Sequence, residues 1–371
     1  MRGLEETAMT ELDKARELIA QTDKEMAKLF EKRMEAVRRV AAYKKEHALP
    51  VTDKQREELI MRENAGYIND EDLRSYYVGF LKSEIEISKQ YQRRVLDGMR
   101  VAYAGVEGAF ANIAAEKIFP EAVCVPYTDF ACAYKAVEDG ECDCAVLPVE
   151  NSTNGDVGTV LDLAFFGSLY INGMYEIEIV QNLLALPGTA LEDVKEAYSH
   201  PQALGQCAAF LKQYGITPTE SVNTAVAAKY VAESGRKDIA AIGSAEAGEK
   251  YGLAVIAPHI NESGLNTTRF AVFSRAKRET GKNDARFVML FTVNNTAGSL
   301  AKAINVIGDH GFNLRAIKSR PRKELIWDYY FYAEGEGNIA TEKGTDMLDG
   351  LYECCKDLKI AGTYEKEIRL T

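Results

Sequence analysis

The sequence is poor in the residues that build metal and redox sites. Its 371 residues include four histidines, one tryptophan and seven cysteines. The cysteines stand alone, as Cys142-Asp-Cys144, or as adjacent Cys354-Cys355. None makes a CxxC pair, so neither a disulfide framework nor a zinc ribbon is implied. Reduced thiols in the cytoplasm are the simplest reading, and no cofactor or metal is expected. No apolar run approaches the ~20 residues that span a bilayer. The N-terminal MRGLEETAM is charged and lacks the apolar core of a signal peptide. No membrane partner is expected. Positive charge is scarce as well: a net charge of −11 argues against a nucleic-acid partner. A cation in a pattern that predicts burial is therefore informative.

What is present is 46% apolar and 27% charged, the balance of a globular chain whose length suggests two to three domains. Three compositions follow one another. Residues 1–98 contain one proline, Pro50, and read as helices throughout. Residues 99–277 alternate short β-branched runs with amphipathic stretches, as α/β domains do. After a polar linker, AKRETGKND, residues 284–371 read as strand, helix, two strands, helix and strand, an α+β unit of ferredoxin-like order.

The first helix is predicted from about Thr10 to His47. Its apolar stripe runs through Leu18, Ile19, Thr22, Met26, Leu29, Phe30, Val37, Val40 and Ala41. Arg33 falls on that stripe, and Lys44 returns to it about three turns later. So long a face with so little partner sequence predicts at least a dimer. Buried cations need anions. A salt bridge to Glu57 is one solution. Against it, the third helix also turns polar groups inward, Ser88 and Gln92 at i and i+4. Asp53, Arg56 and Glu57 share one face of the second helix, which Thr52 or Asp53 caps. The interior suits a small dianion.

In these residues the first ~95 positions resemble the all-helical chorismate mutase family. The resemblance implies that Arg33 and a partner chain's Arg16 clamp the two carboxylates of chorismate. Lys44 and Gln92 would donate to the ether oxygen, and Glu57 with Asp53 would hold the ring hydroxyl. Arg56 and Ser88 would complete the carboxylate contacts. A Claisen rearrangement needs no nucleophile or metal, only a held conformer and donors at the oxygen that gains charge.

In the α/β region, polar turns end three strands: ENSTNG (150–155), YSHPQALGQC (198–207) and NTTRF (266–270). Open α/β sheets bind ligands at such ends. The second turn raises three mechanisms for His200. Nucleophilic catalysis lacks a GxSxG elbow, adjacent Ser199 and His200 cannot easily face each other, and Cys207 is expected mid-helix on a buried face. A metal would need ligands nearby, and His47, His259 and His310 are scattered. Either Ser199 caps the helix and His200 is structural, or His200 contacts a ligand.

The set from Arg100 to Arg275, with VLPVENSTNG, YSHPQALGQC, NTAVAA, AAIGSAEAGEKYGL and NTTRF, resembles prephenate dehydratase. The fold this implies is two α/β lobes around a cleft, periplasmic-binding-protein-like. The implied reaction is a decarboxylative elimination from prephenate to phenylpyruvate. Thr268 would assist the departing hydroxide, while Asn151, Ser199, His200, Gln202 and Gln206 would line the site. Arg269 would face a carboxylate or form a structural salt bridge, and Phe270 would wall the ring or be plain core. One departure is GVEGAF, with Ala109 where the family usually has a hydroxyl residue.

The last ~85 residues resemble an ACT regulatory domain through AGSL, FNLRAIKSRP and WDYYFYAEGEG. The implied effector is L-phenylalanine at a dimer interface. It would be held by Gly298, Ser299 and Leu300 at a helix N-terminus and by the strand set Asn313, Leu314, Lys318, Ser319, Arg320 and Pro321. Ser299 and Lys318 replace the family's usual alanine and glutamate. A reversed charge at 318 would weaken inhibition if that side chain closes the interface, and would be neutral if it points to solvent. The whole chain thus resembles the bifunctional chorismate mutase–prephenate dehydratases, acting on chorismate and then prephenate. The rival reading joins an active mutase to a non-catalytic aromatic-metabolite sensor.

Overall fold

The computed structural model describes residues 10–262, 264–322 and 328–370. Trp327, quoted above in the ACT-like pattern, lies outside them. The chain forms two compact units that divide at Gly98/Met99.

The first unit holds three helices: α1 (Glu11–Glu46), α2 (Lys54–Ala65) and α3 (Glu71–Asp97). Local chemistry sets their starts. Thr10 and Asp13 form a reciprocal capping box on α1, and Asp53 rather than Thr52 caps α2 by accepting from the Arg56 amide at 3.0 Å. Within the chain the α1 stripe is largely uncovered: only Ala41 of its residues is buried. Leu18, Ile19 and Leu29 are 66%, 61% and 65% exposed. The reason is length. At 1.5 Å per residue α1 runs about 54 Å, and α3 only about 40 Å. The interior these helices do share is small and mixed: Ala41, Leu81 and Ile85 beside Ser88, Lys89 and Gln92.

The second unit begins β1 (Arg100–Ala104), α4 (Phe110–Ile118), β2 (Val123–Tyr127), α5 (Phe130–Glu138), β3 (Cys144–Asn151), β4 (Gly155–Asp156), α6 (Gly158–Phe166) and β5 (Tyr170–Glu178). The chain then crosses to a second lobe. This contains β6 (Asn182–Ala185), β7 (Glu196–Ser199), α7 (Pro201–Gln206), α8 (Ala208–Tyr214), β8 (Thr217–Glu220), α9 (Thr224–Ser234), β9 (Ile239–Gly243), α10 (Ala245–Tyr251) and β10 (Ala254–Ala257). β11 (Thr267–Ser274) returns to the first lobe. There follow β12 (Arg286–Thr292), α11 (Ser299–Asp309), β13 (Asn313–Pro321), β14 (Tyr329–Glu336), α12 (Glu342–Cys354), β15 (Asp357–Tyr364) and β16 (Ile368–Leu370).

Among the described residues the first-lobe sheet runs β16-β5-β11-β3-β1-β2, with β4 on β3, and the second-lobe sheet runs β10-β6-β9-β7-β8. The C-terminal sheet, β13-β14-β12-β15, is the ferredoxin-like order the sequence predicts. Two features were not foreseen. The last strand, β16, leaves the C-terminal sheet and pairs in parallel with β5. The middle strands of the C-terminal sheet are also buried on both faces, while edge strand β13 leaves alternate residues exposed. Along β12, Phe287, Met289 and Phe291 pack under α11 and α12, while Val288 and Leu290 enter the core of the first lobe. The approach is close: a Cβ on Gly362 would sit 1.8 Å from the Ile171 carbonyl oxygen. The AKRETGKND segment is tied down as well: the Arg278 amide donates to Asn172 Oδ1 at 3.0 Å, and Asn338 Nδ2 donates to the Gly281 carbonyl at 2.9 Å.

Candidate active sites

In the first unit, α1 and α3 bring Arg33 to Ser88. The Arg33 Nη1 donates to Ser88 Oγ, and Nε pairs with Glu84 at 3.0 Å. Ser88 in turn donates to the Glu84 carbonyl at 2.7 Å. Gln92 is buried one turn on, and its Oε1 has no hydrogen-bond partner. Lys44 reaches the Val51 carbonyl at 2.6 Å. Glu57 is bound not by Arg33 or Lys44 but by Lys89, at 3.2 Å. Lys89 also pairs with Glu86. Burial opposes its charge, but the two carboxylates outweigh that and raise its pKa. Lys89 was missed in the sequence although it sits three residues from Gln92, the spacing that shares a helix face.

Two residues stand apart from this group. Arg56 is exposed on α2, and Arg16 is exposed on α1. Arg16 lies 17 residues before Arg33, about 25 Å along a helix. Within one chain the two cannot hold one small ligand.

The second unit has a cavity of about 330 Å³ between its lobes. The first lobe contributes Asn151, Thr268 and Phe270, and the second His200, Gln202 and Gln206. Strand pairing builds its centre, since Thr268 lies opposite Asn151 in the β3–β11 ladder. Asn151 is locked by its own turn: Oδ1 accepts from the Thr153 amide, the Asn154 amide and Asn154 Nδ2 at 3.0, 3.0 and 2.9 Å. That fixes which end is the amine. Its Nδ2 donates to Thr268 Oγ1 at 2.9 Å and to Asn266 Oδ1 at 2.8 Å. With the threonine oxygen accepting, its own hydrogen is left to donate. Asn266 continues to Gln206 Oε1 at 3.0 Å, and Gln206 Nε2 is buried without a partner.

Other expected residues move. His200, not Ser199, caps α7: its Nδ1 accepts from the Gln202 amide at 3.2 Å, which makes Nε2 the protonated nitrogen of the neutral ring. Ser199 is fully buried, and its hydroxyl donates to the Ile242 carbonyl at 2.7 Å, so it does not line the cavity. Cys207 falls between α7 and α8, and burial pushes its thiol up to about 12. It is no thiolate. Arg269 takes the structural alternative: being next to Thr268 on a strand, it points to the other face. There it pairs with Glu150, Glu334 and Glu367 at 3.0, 2.8 and 3.3 Å. Phe270 is 1% exposed and both walls the cavity and fills the core. At Ala109, which caps α4 with no side-chain bond, Asn112 Oδ1 accepts from the Gly108 amide at 2.8 Å instead. Gln181 was not singled out in the sequence. It lines the cavity, is 2% exposed, and keeps an unpartnered Oε1.

The residues expected at the effector divide by face. Gly298, at φ 85° in the left-handed region, starts α11 without a side-chain cap, and Ser299 meets Thr296 Oγ1 at 2.7 Å. Leu300 packs into the α11–α12 core. Along β13, Asn313 donates to Glu336 at 3.0 Å, Leu314 is half-buried, and Ser319 and Pro321 are exposed. Lys318 and Arg320 turn toward the dehydratase-like lobe. Lys318 does not point to solvent: it pairs with Glu150 at 2.9 Å and with Asp156. Arg320 pairs with Asp162 at 2.7 Å.

A family model for prephenate dehydratase matches residues 101–278, and one for chorismate mutase type II matches residues 15–93. The bifunctional chorismate mutase/prephenate dehydratase of Aquifex aeolicus (strain VF5) is 31% identical over 97% of this chain and 99% of its own. The chain belongs to the bifunctional chorismate mutase/prephenate dehydratase family. This bifunctional chain is also 36% identical to arogenate dehydratase/prephenate dehydratase 2 of Arabidopsis thaliana, covering 75% of the chain and 76% of that relative. The solved prephenate dehydratase of Arthrobacter aurescens in complex with L-Phe shares 27% identity at a TM-score of 0.66, over 72% of this chain and 90% of that one. Among the described residues, no helix is long and apolar enough to cross a membrane.

Proposed function

We infer that this chain is a bifunctional enzyme of phenylalanine biosynthesis, converting chorismate to prephenate in the helical unit and prephenate to phenylpyruvate in the α/β cleft. The observation that carries the second step is the Asn151–Thr268 pair at 2.9 Å on the cavity wall. In the elimination, the electrons of the ring-carbon–carboxylate bond move into the ring as carbon dioxide leaves, and the far C–O bond breaks. The departing hydroxide needs a donor. Thr268, its oxygen occupied by Asn151, offers its hydrogen there. A threonine hydroxyl is too weak an acid for easy full transfer, so it polarises the leaving group within a water-poor site. The orphaned Gln181 Oε1 and Gln206 Nε2 support a polar ligand, since buried unpaired amide atoms are costly without one. His200 Nε2 and Gln202 add donors; Ser199 and Arg269 support the walls from behind.

For the mutase step, Arg33 and Ser88 serve one carboxylate and Arg56 assists. Lys44 and Gln92 face the ether oxygen, and Glu57 with Asp53 takes the ring hydroxyl. Arg16 comes from a second copy, which the exposed Leu18, Ile19 and Leu29 face supports. We therefore place the protein as a homodimer or a higher homo-oligomer, and, with seven unpaired thiols, in the cytoplasm. The C-terminal sheet is proposed as an ACT domain, with domain limits at 1–98, 99–277 and 284–371. It would bind L-phenylalanine at the uncapped start of α11 and the exposed face of β13 as feedback inhibitor.

A time course with chorismate alone tests both steps. Prephenate rising and then giving way to phenylpyruvate supports the reading. Prephenate that accumulates unchanged overturns the dehydratase and favours a sensor; chorismate lost no faster than background overturns the mutase.

A further inference from the structure

We propose that Lys318, on the C-terminal sheet, is a positioning residue of the dehydratase site. The inference rests on the dehydratase reading above. Its basis is the alternation of two paired strands. Thr268 faces Asn151 across the β3–β11 ladder, and Arg269 faces Glu150 at the next rung. Successive side chains point to opposite faces. The pair that lines the cavity and the ion pair behind it therefore hang on the same two peptide units.

Lys318 clamps the rear face twice. Its ammonium pairs with Glu150 at 2.9 Å, the residue before Asn151. It also pairs with Asp156, on the short strand β4 that folds back on β3 with Asp156 opposite Glu150 and Gly155 opposite Asn151. The turn between those strands carries the Thr153 and Asn154 amides that hold Asn151 Oδ1. One lysine thus closes the turn that aims the Asn151 amide at Thr268. Its side chain is only 15% exposed, and its ammonium lies 5.9 Å from the Tyr332 ring centre. Arg269 anchors the other strand to Glu334, which is 3% exposed, on the same sheet. Without Lys318, Asp156 loses its ion pair and Glu150 keeps only Arg269, so nothing holds the two carboxylates together and the turn loses its closure.

The test is Lys318→Met against Lys318→Arg, assayed with prephenate and, as an internal control, with chorismate. Lys318→Met should lower dehydratase kcat about tenfold with KM changed less than about twofold, the pattern of a misplaced catalytic group. Lys318→Arg, which keeps a cation, should recover to within about threefold of wild type. Mutase turnover should not move in either. In the same proteins, hydrogen exchange at the Thr153 and Asn154 amides should quicken in Lys318→Met and stay slow in Lys318→Arg. A folded Lys318→Met with wild-type kcat, or equal losses in both variants, overturns the proposal. If the wild type itself makes no phenylpyruvate, the dehydratase reading fails; exchange then decides the positioning role, and unchanged protection at Thr153 and Asn154 overturns it.

Discussion

Thr268 in the second unit and Arg33 in the first meet different surroundings. Around Thr268 the chain supplies a continuous network: Asn151, Asn266 and Gln206 in series, with the strand pair braced from behind by Arg269. Around Arg33 the network is partial. Arg33 and Ser88 meet and Glu57 is held by Lys89, but of the other two expected arginines Arg56 is exposed on α2 and Arg16 lies about 25 Å along α1. The contrast follows from architecture. A two-lobed α/β unit encloses a cleft by folding on itself, whereas three helices of unequal length leave most of one helix uncovered. The first can enclose a site alone; for the second we propose completion by a symmetric copy.

The sharpest test of this contrast is to break each site separately. Thr268→Ala should cut phenylpyruvate formation about 100-fold or more, in line with the loss of a donor to a developing charge, while chorismate turnover is unchanged. Dehydratase activity that survives Thr268→Ala would remove the proposed leaving-group donor. Lys44→Ala should do the converse, costing the mutase about 100-fold and leaving added prephenate consumed normally.

The proposed borrowing of Arg16 across chains has its own signature. Arg16→Ala and Arg33→Ala should each disable the mutase as homodimers. Co-refolded in equal amounts, half the dimers are mixed and each has one intact site, so about a quarter of wild-type activity should return. No return would place both arginines in one chain's site, against the helix geometry. The dehydratase should show no such complementation between Thr268→Ala and Asn151→Ala.

The smallest effect concerns acid. Burial would raise the Glu150 carboxyl, but Lys318 and Arg269 outweigh it and hold it below its ordinary 4.5. A carboxylate depressed in the fold contributes stability above its unfolded value, and that contribution is lost as pH falls through the folded value. The melting temperature of the α/β unit should therefore drop less steeply below pH 4.5 in Lys318→Met than in wild type. Equal slopes would mean that Lys318 does not lower Glu150.

Much of the fold was legible because it rests on short-range rules. Asp53 as a cap, the α/β alternation after Met99 and the ferredoxin-like strand order all follow from residues a few positions apart. The site was legible where a motif places a side chain on a strand end: Asn151 and Thr268 were named from the sequence and share one cavity. Arg269 shows where reading stopped short. A strand's period of two already sets its side chain opposite to Thr268, but the three carboxylates that receive it come from positions 150, 334 and 367. His200 displaced Ser199 as the cap because the Ile242 carbonyl, 43 residues on, had taken the serine hydroxyl. Lys89 went unread because its partner Glu57 belongs to another helix.

The sequence by itself determined most of the helices and strands, caps such as Asp53, and the three compositional regions, since periodicity and turn chemistry act over a few residues. Only the tertiary structure decided which cations are bound and by what. It sent Lys318 to Glu150 and Arg269 to Glu334, and it drew β16 onto β5. Those pairings join residues far apart in the chain, and a buried charge is settled by whichever partner the packing of whole sheets brings within reach.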